Sequence, residues 1–178
     1  MFPDRWHEYT ACGSVIAGTD LISFKVPLRE EAFKYVTNAE DRWTVASLLA
    51  LPTLGAVIDL TNTTRYYDGA ELRRAGVLYR KLRVPGRALP DESVVREFCA
   101  AVEELRALCP GMLVGVHCTH GVNRSGYLVC RYLVDRLGVP PADAVAQFAA
   151  ARGHAIERTN YVDDLLARVG GLIPASSS

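Results

Sequence analysis

Lysine is scarce in this chain: only three of its twenty basic residues are lysine, and the other 17 are arginine. Acidic residues also number twenty, so neither sign is in excess. That balance excludes the broad cationic surface with which proteins coat nucleic acid or anionic membranes. No apolar run approaches the roughly twenty residues needed to cross a bilayer. Five cysteines occur at irregular spacing without a C-x-x-C pair, which excludes a disulfide framework or zinc ribbon. Their odd number, and an N-terminus unlike a secretory leader, predict an intracellular, reducing compartment in which thiols stay free. No internal repeat is visible.

What is present is enough for a packed globule. A chain of 178 residues that is 49% hydrophobic can bury one sizeable core, which predicts a single domain over 1–170 and a loose tail over 171–178. Strand-like runs fall at Leu21–Leu28, Ala56–Leu60, Leu78–Val84 and Met112–His117. Helical stripes lie between and after them: Val94, Phe98, Val102 and Leu105, then Leu128, Val129, Tyr132 and Leu133. Pro141 suits the first turn of a helix that Gly153 would end. Thr159 is a candidate cap for a last helix with Val162, Leu165, Leu166 and Val169 facing the core and Gly170 closing it. Alternation of this kind predicts an α/β layer fold with a largely parallel sheet of about four to five strands flanked by helices.

One segment carries chemistry. His117-Cys118-Thr119-His120-Gly121-Val122-Asn123-Arg124-Ser125 lies between a buried strand and a helix start. Backbone N–H groups in such a turn, together with the helix end, make an oxyanion site. The same field favours thiolate at Cys118, and the planar fork of Arg124 can grip two phosphate oxygens. The reaction this predicts is phosphoryl transfer to sulfur. Ser125 is placed to hydrogen-bond the sulfur as it leaves, or to cap the helix. His117 and Asn123 would brace the loop. His120, at the crest, faces either solvent or substrate.

Other residues are candidates for substrate contact. Arg65 and Tyr66 would rim the pocket and offer stacking, with core packing as the alternative for at least one of Tyr66 and Tyr67. Arg73, Arg74, Arg80, Lys81, Arg83 and Arg87 form a run without acidic residues that could track an RNA backbone or simply be a solvated face. Asp91, in Pro90-Asp91-Glu92-Ser93, reads as a helix N-cap. Cys12, Cys99, Cys109 and Cys130 read as structural.

The Cys-x5-Arg-Ser signature, filled as HCTHGVNRSG, resembles the RNA 5′-triphosphatase branch of the dual-specificity cysteine phosphatases. Arg5-Trp6, Phe24-Lys25-Val26-Pro27-Leu28, Ile58-Asp59-Leu60-Thr61, Arg65-Tyr66-Tyr67, Arg152-Gly153-His154 and Glu157-Arg158-Thr159-Asn160-Tyr161 extend the likeness over residues 1–170. MFPDRWHEY, YYDG and CPGMLVGVHCTHG are most similar to its baculovirus members. The resemblance implies the cysteine phosphatase fold and removal of γ- and then β-phosphate from 5′-triphosphate RNA. It implies neither metal nor cofactor, and weaker action on phosphotyrosine-type substrates. It makes Cys118 the nucleophile, Arg124 and residues 117–123 the phosphate-binding loop, and Arg158 a contact to the phosphate chain, with a surface ion pair to Glu157 or Asp163 as the alternative. It also puts Asp91 where relatives carry a mobile general acid, although this branch lacks a uniform acid there. Serine at 125 departs from the more usual threonine but keeps the hydroxyl. Partners would be 5′-triphosphorylated RNA and phosphoproteins, in host cytoplasm or nucleus or with the virion. A protein tyrosine or dual-specificity phosphatase is the alternative activity; a non-catalytic RNA-end or protein-binding module is a third reading.

Overall fold

The computed structural model describes residues 1–169. Its centre is a five-stranded sheet: β1 (Cys12–Val15), β2 (Leu21–Phe24), β3 (Leu54–Asp59), β4 (Leu78–Lys81) and β5 (Leu113–His117), in the spatial order β1-β2-β5-β3-β4. Only β1, which no sequence pattern announced, runs antiparallel; its four residues are all at least partly exposed. The other pairs are parallel, so β2, β3, β4 and β5 end at one edge, with Ser23 and Ile58 both opposite Val116 and Asp59 opposite His117. The last and most central strand, β5, therefore delivers Cys118 to the middle of that edge. Ligands of parallel sheets collect there.

Residues alternate between two cores, as strands covered on both faces require. Ala56, Ile58, Val114 and Val116 face one core with Phe98, Leu128 and Phe148; Leu54, Val57 and Phe24 face the other with Trp6, Phe33 and Trp43. The short helices α1 (Val45–Leu49) and α2 (Ala70–Arg74) contribute Leu48 and Leu72 to the second. The first is built by α3 (Glu92–Leu108), α4 (Asn123–Leu137), α5 (Pro141–Arg152) and α6 (Thr159–Leu166). Helix α5 begins on Pro141 and ends at Gly153 in the left-handed region, φ 82°, as glycine permits.

Three expectations are corrected. The run Leu21–Leu28 pairs only as far as Phe24, because Pro27 has no N–H and Val26 donates instead to the carbonyl of Thr119 at 3.0 Å. Helix α6 ends earlier than its apolar pattern predicts: Leu165 is buried, but Leu166 is 50% and Val169 92% exposed. Arg158, not Thr159, occupies the N-cap of α6. The proposed stop at Gly170 and tail 171–178 lie outside the described residues.

Candidate active site

Cys118 follows β5 directly, and α4 begins five residues later at Asn123. The turn between them closes because residue 121 is glycine. Its φ is 70°, and a Cβ there would lie 2.2 Å from the carbonyl oxygen of Phe24, a backbone atom that cannot give way. Val122 occupies the N-cap of α4 and Ser125 lies within the helix, so Ser125 is not the cap that its residue type allowed.

Cys118 is buried, at 3% exposure. Burial by itself would push its thiol up. The charge of Arg124, the Ser125 hydroxyl and the N–H groups of Ser125 and Val122 outweigh that and bring the pKa below the ordinary thiol value. Ser125 Oγ is fully buried with no hydrogen-bond partner among the described residues, which leaves its hydroxyl free to favour the Cys118 anion. The other four cysteines go the opposite way. Burial pushes Cys12 and Cys99 up to about 11 and Cys130 up to about 12, and raises Cys109 as well.

Arg124 arches across the loop. One terminal nitrogen donates to the carbonyl of Val84 at 2.9 Å and the other to Thr119 Oγ1 at 3.1 Å. Three of its five N–H groups remain available to an anion. Gly86 passes close to the guanidinium: a Cβ on it would be 3.9 Å from Nε.

Beneath the loop is a buried polar network. His117 is fully buried, and its Nδ1 lies 2.9 Å from the carbonyl of Cys118, which can only accept. The proton is therefore on Nδ1, and the hydroxyl of Tyr67 donates to Nε2 at 2.8 Å. Burial keeps this imidazole neutral, against the pull of Asp59. Asp59 accepts from Thr61, Tyr79 and Lys81 at 2.7–3.1 Å. Burial opposes its ionisation, but the hydrogen bonds from Thr61 and Tyr79 and the Lys81 charge hold it below the usual carboxylate range. Tyr67 is thus the tyrosine that packs inward.

The remaining candidates divide. Asn123 braces the loop outward: its Oδ1 accepts from the backbone N–H of Glu157 at 2.8 Å and Arg158 at 3.0 Å. This places Arg158 beside the loop, stacked near Tyr161, with Nε buried and unpartnered. Among the described residues it forms no ion pair; Glu157 is taken by Arg5 and Tyr9. His120 is half-buried: it stacks on Tyr9 at 4.5 Å and donates from Nε2 to the carbonyl of Asp4 at 2.7 Å. Arg65 and Tyr66 are bonded to each other at 3.1 Å and line a hollow of about 320 Å³ with Arg29 and Glu31 that contains no residue of 117–125. Asp91 is exposed at the N-cap of α3, where its side chain makes no capping bond.

The cationic run is divided: among the described residues Arg73, Arg83 and Arg87 form no ion pair, and the other three do. Arg74 pairs with Asp68, Arg80 with Glu104 and Lys81 with Asp59. Sequence patterning also passed over Lys25 and Arg152, two buried cations behind the loop. The signal available for both was a charged residue among positions that are otherwise apolar and buried.

Comparison with known proteins agrees with this geometry. Residues 35–168 match the family model for the dual-specificity phosphatase catalytic domain. The tyrosine-protein phosphatase of Autographa californica nuclear polyhedrosis virus is 59% identical over 93% of this chain and 99% of its own length. A relative from Orgyia pseudotsugata multicapsid polyhedrosis virus is 68% identical over 94% of this chain and 77% of its own. The RNA/RNP complex-1-interacting phosphatase of Rattus norvegicus is 40% identical over 94% of this chain, which spans 53% of that protein. Among solved structures, Tk-PTP in its active form superposes with a TM-score of 0.65 at 20% identity, covering 88% of this chain and 97% of that one. The chain thus belongs to the dual-specificity phosphatases and is a cysteine-type phosphatase.

Proposed function

We propose that the enzyme removes the γ- and then the β-phosphate from 5′-triphosphate RNA through a phosphocysteine, without a metal ion. The thiolate of Cys118 attacks the terminal phosphorus in line, forming the S–P bond as the bond to the bridging oxygen breaks. The shortened RNA phosphate takes the electron pair. Arg124 and the loop N–H groups of residues 119–125 hold the equatorial oxygens as charge redistributes. Water then attacks phosphorus, and the Ser125 hydroxyl hydrogen-bonds the sulfur as it departs as thiolate.

The observation that carries the RNA reading is Arg158. It is a cation fixed at the loop's edge by Asn123, with Nε buried and unpartnered, so it is free to engage a second phosphate along the chain. A monoester has no such second group. The exposed position of Asp91 fits the same substrate, since a departing phosphate with second pKa of about 6 needs less protonation than a phenolate of about 10. The rat relative, an RNA/RNP complex-1-interacting phosphatase, supports RNA as well.

The name of the Autographa relative favours phosphotyrosine instead. Competition decides between them: a 5′-triphosphorylated oligoribonucleotide against a phosphotyrosine peptide, compared by kcat/KM. The RNA should win by at least about tenfold, and Arg158→Ala should erase most of that preference. A preference for the peptide overturns the reading.

A further inference from the structure

The side chain that grips the phosphate loop most extensively is not part of the loop. Arg152, the last residue of α5, is 1% exposed. Its guanidinium makes four hydrogen bonds, all to uncharged oxygens. Nε donates to the carbonyl of Gly121 at 3.0 Å, and one terminal nitrogen donates to the carbonyls of His120 and Thr10 at 2.8 Å each. The other terminal nitrogen reaches Thr10 Oγ1 at 2.9 Å. Among the described residues no carboxylate pairs with it. Buried cations are ordinarily paired, because desolvation is otherwise uncompensated. Lys25 repeats the pattern nearby, donating to the carbonyls of Trp6 and Tyr9 at 3.1 and 2.8 Å with its ammonium over the Trp6 ring.

The peptide unit explains what this grip does. In a trans peptide the C=O and the following N–H point in opposite directions. Drawing the carbonyls of His120 and Gly121 backward therefore turns the N–H groups of Gly121 and Val122 forward. The Val122 N–H is one of those that favour the Cys118 thiolate. Ser23 Oγ adds a second donor to the Gly121 carbonyl at 3.1 Å.

We propose that Arg152 is a positioning residue for phosphoryl transfer: by holding the backs of two loop peptides, it aims their N–H groups at the sulfur and at the phosphoryl oxygens. The inference rests on the reading of residues 117–125 as the phosphoryl-transfer loop. It also joins the loop to the N-terminal segment, since the same guanidinium holds Thr10.

The test follows alkylation of Cys118 by iodoacetamide against pH, mapped by mass spectrometry, together with kcat and KM on the triphosphorylated oligonucleotide. The groups facing this sulfur are Arg124 and Ser125 from α4, Arg152 from α5 and Tyr161 from α6, with His117 preceding it. In Arg152→Met the alkylation midpoint should rise toward that of an ordinary thiol and kcat/KM should fall about a hundredfold. Arg152→Lys, which keeps the charge but cannot span four acceptors, should recover part of both. Ser23→Ala should shift both slightly in the same direction, and it decides together with Arg152→Lys if the methionine variant does not fold. A wild-type midpoint and KM in folded Arg152→Lys and Ser23→Ala overturn the proposal, even if kcat falls with the folded fraction. Full activity in Cys118→Ser would instead overturn the functional reading, while the alkylation arm still reports on loop geometry.

Discussion

Cys118 and Cys130 stand at two places along one helix, just ahead of α4 and in its middle, and they have opposite chemistry. Both are buried, at 3% and 0% exposure. At Cys130 burial meets no opposition and the thiol is pushed up to about 12. Its backbone neighbours spend their N–H groups on carbonyls four residues back, and its own sulfur has only the Ala144 carbonyl, at 3.5 Å, to donate to. Cys118 meets the helix end, where N–H groups have no intrahelical partner, and Arg124 adds a full charge. Burial therefore does not decide thiol reactivity here. The Arg124 charge, the Ser125 hydroxyl and a few directed N–H groups do.

The sharpest way to break the comparison is to remove each sulfur in turn. Cys118→Ser should lower kcat/KM by at least about a thousandfold with circular dichroism unchanged. Cys130→Ala should leave kcat/KM intact and cost about 1 kcal/mol of unfolding free energy in urea, the usual scale for a small buried deletion.

A second prediction sharpens the role of the helix end. The Cys118 thiolate is favoured in the folded protein, so its alkylation should rise with pH through a midpoint below that of a free thiol. Cys130 should stay unreactive until the chain unfolds. Ser125→Ala removes a hydrogen bond to the anion, so the Cys118 midpoint should move up. Breakdown of the phosphocysteine should slow about tenfold, seen as a burst of the shortened RNA followed by a slower steady rate. An unchanged midpoint would place the Ser125 hydroxyl elsewhere.

The smallest effect is expected farthest from the sulfur's own shell. Asp91→Asn should change triphosphate turnover by less than about threefold while hurting aryl-phosphate turnover more, because only the aryl leaving group needs a proton. Equal losses on both substrates would restore Asp91 as a general acid for either.

Much of this molecule was readable in advance for identifiable reasons. The central strand, the helix after it and the loop between them are contiguous, so their order fixes their relation. The stripes of α3 and α4 are long enough for periodicity to be unambiguous; Phe98, Val102, Leu128 and Leu133 are all buried. Short elements escaped: β1 has four residues and α2 five, too few for a period to show. The ion pairs of the cationic run were not legible because linear charge says nothing about partners; Glu104 and Asp59, distant in the chain, neutralise Arg80 and Lys81. The partners of His120 were equally hidden, since Tyr9 and Asp4 reach it from more than a hundred residues away.

The amino-acid order by itself determined the parallel sheet, the phosphate loop at the end of its central strand, and which cysteine and arginine meet there. The loop forms between contiguous elements, where steric and periodic rules act locally, and the parallel pairing follows from the alternation of strands and helices along the chain. Only the tertiary structure decided the rest. It seats Arg158 against Asn123, puts His120 on Tyr9, and sets Lys25 and Arg152 uncompensated behind the loop. Each of these joins residues that the chain holds far apart, and the energy of a buried charge depends on which carbonyls the fold happens to bring around it.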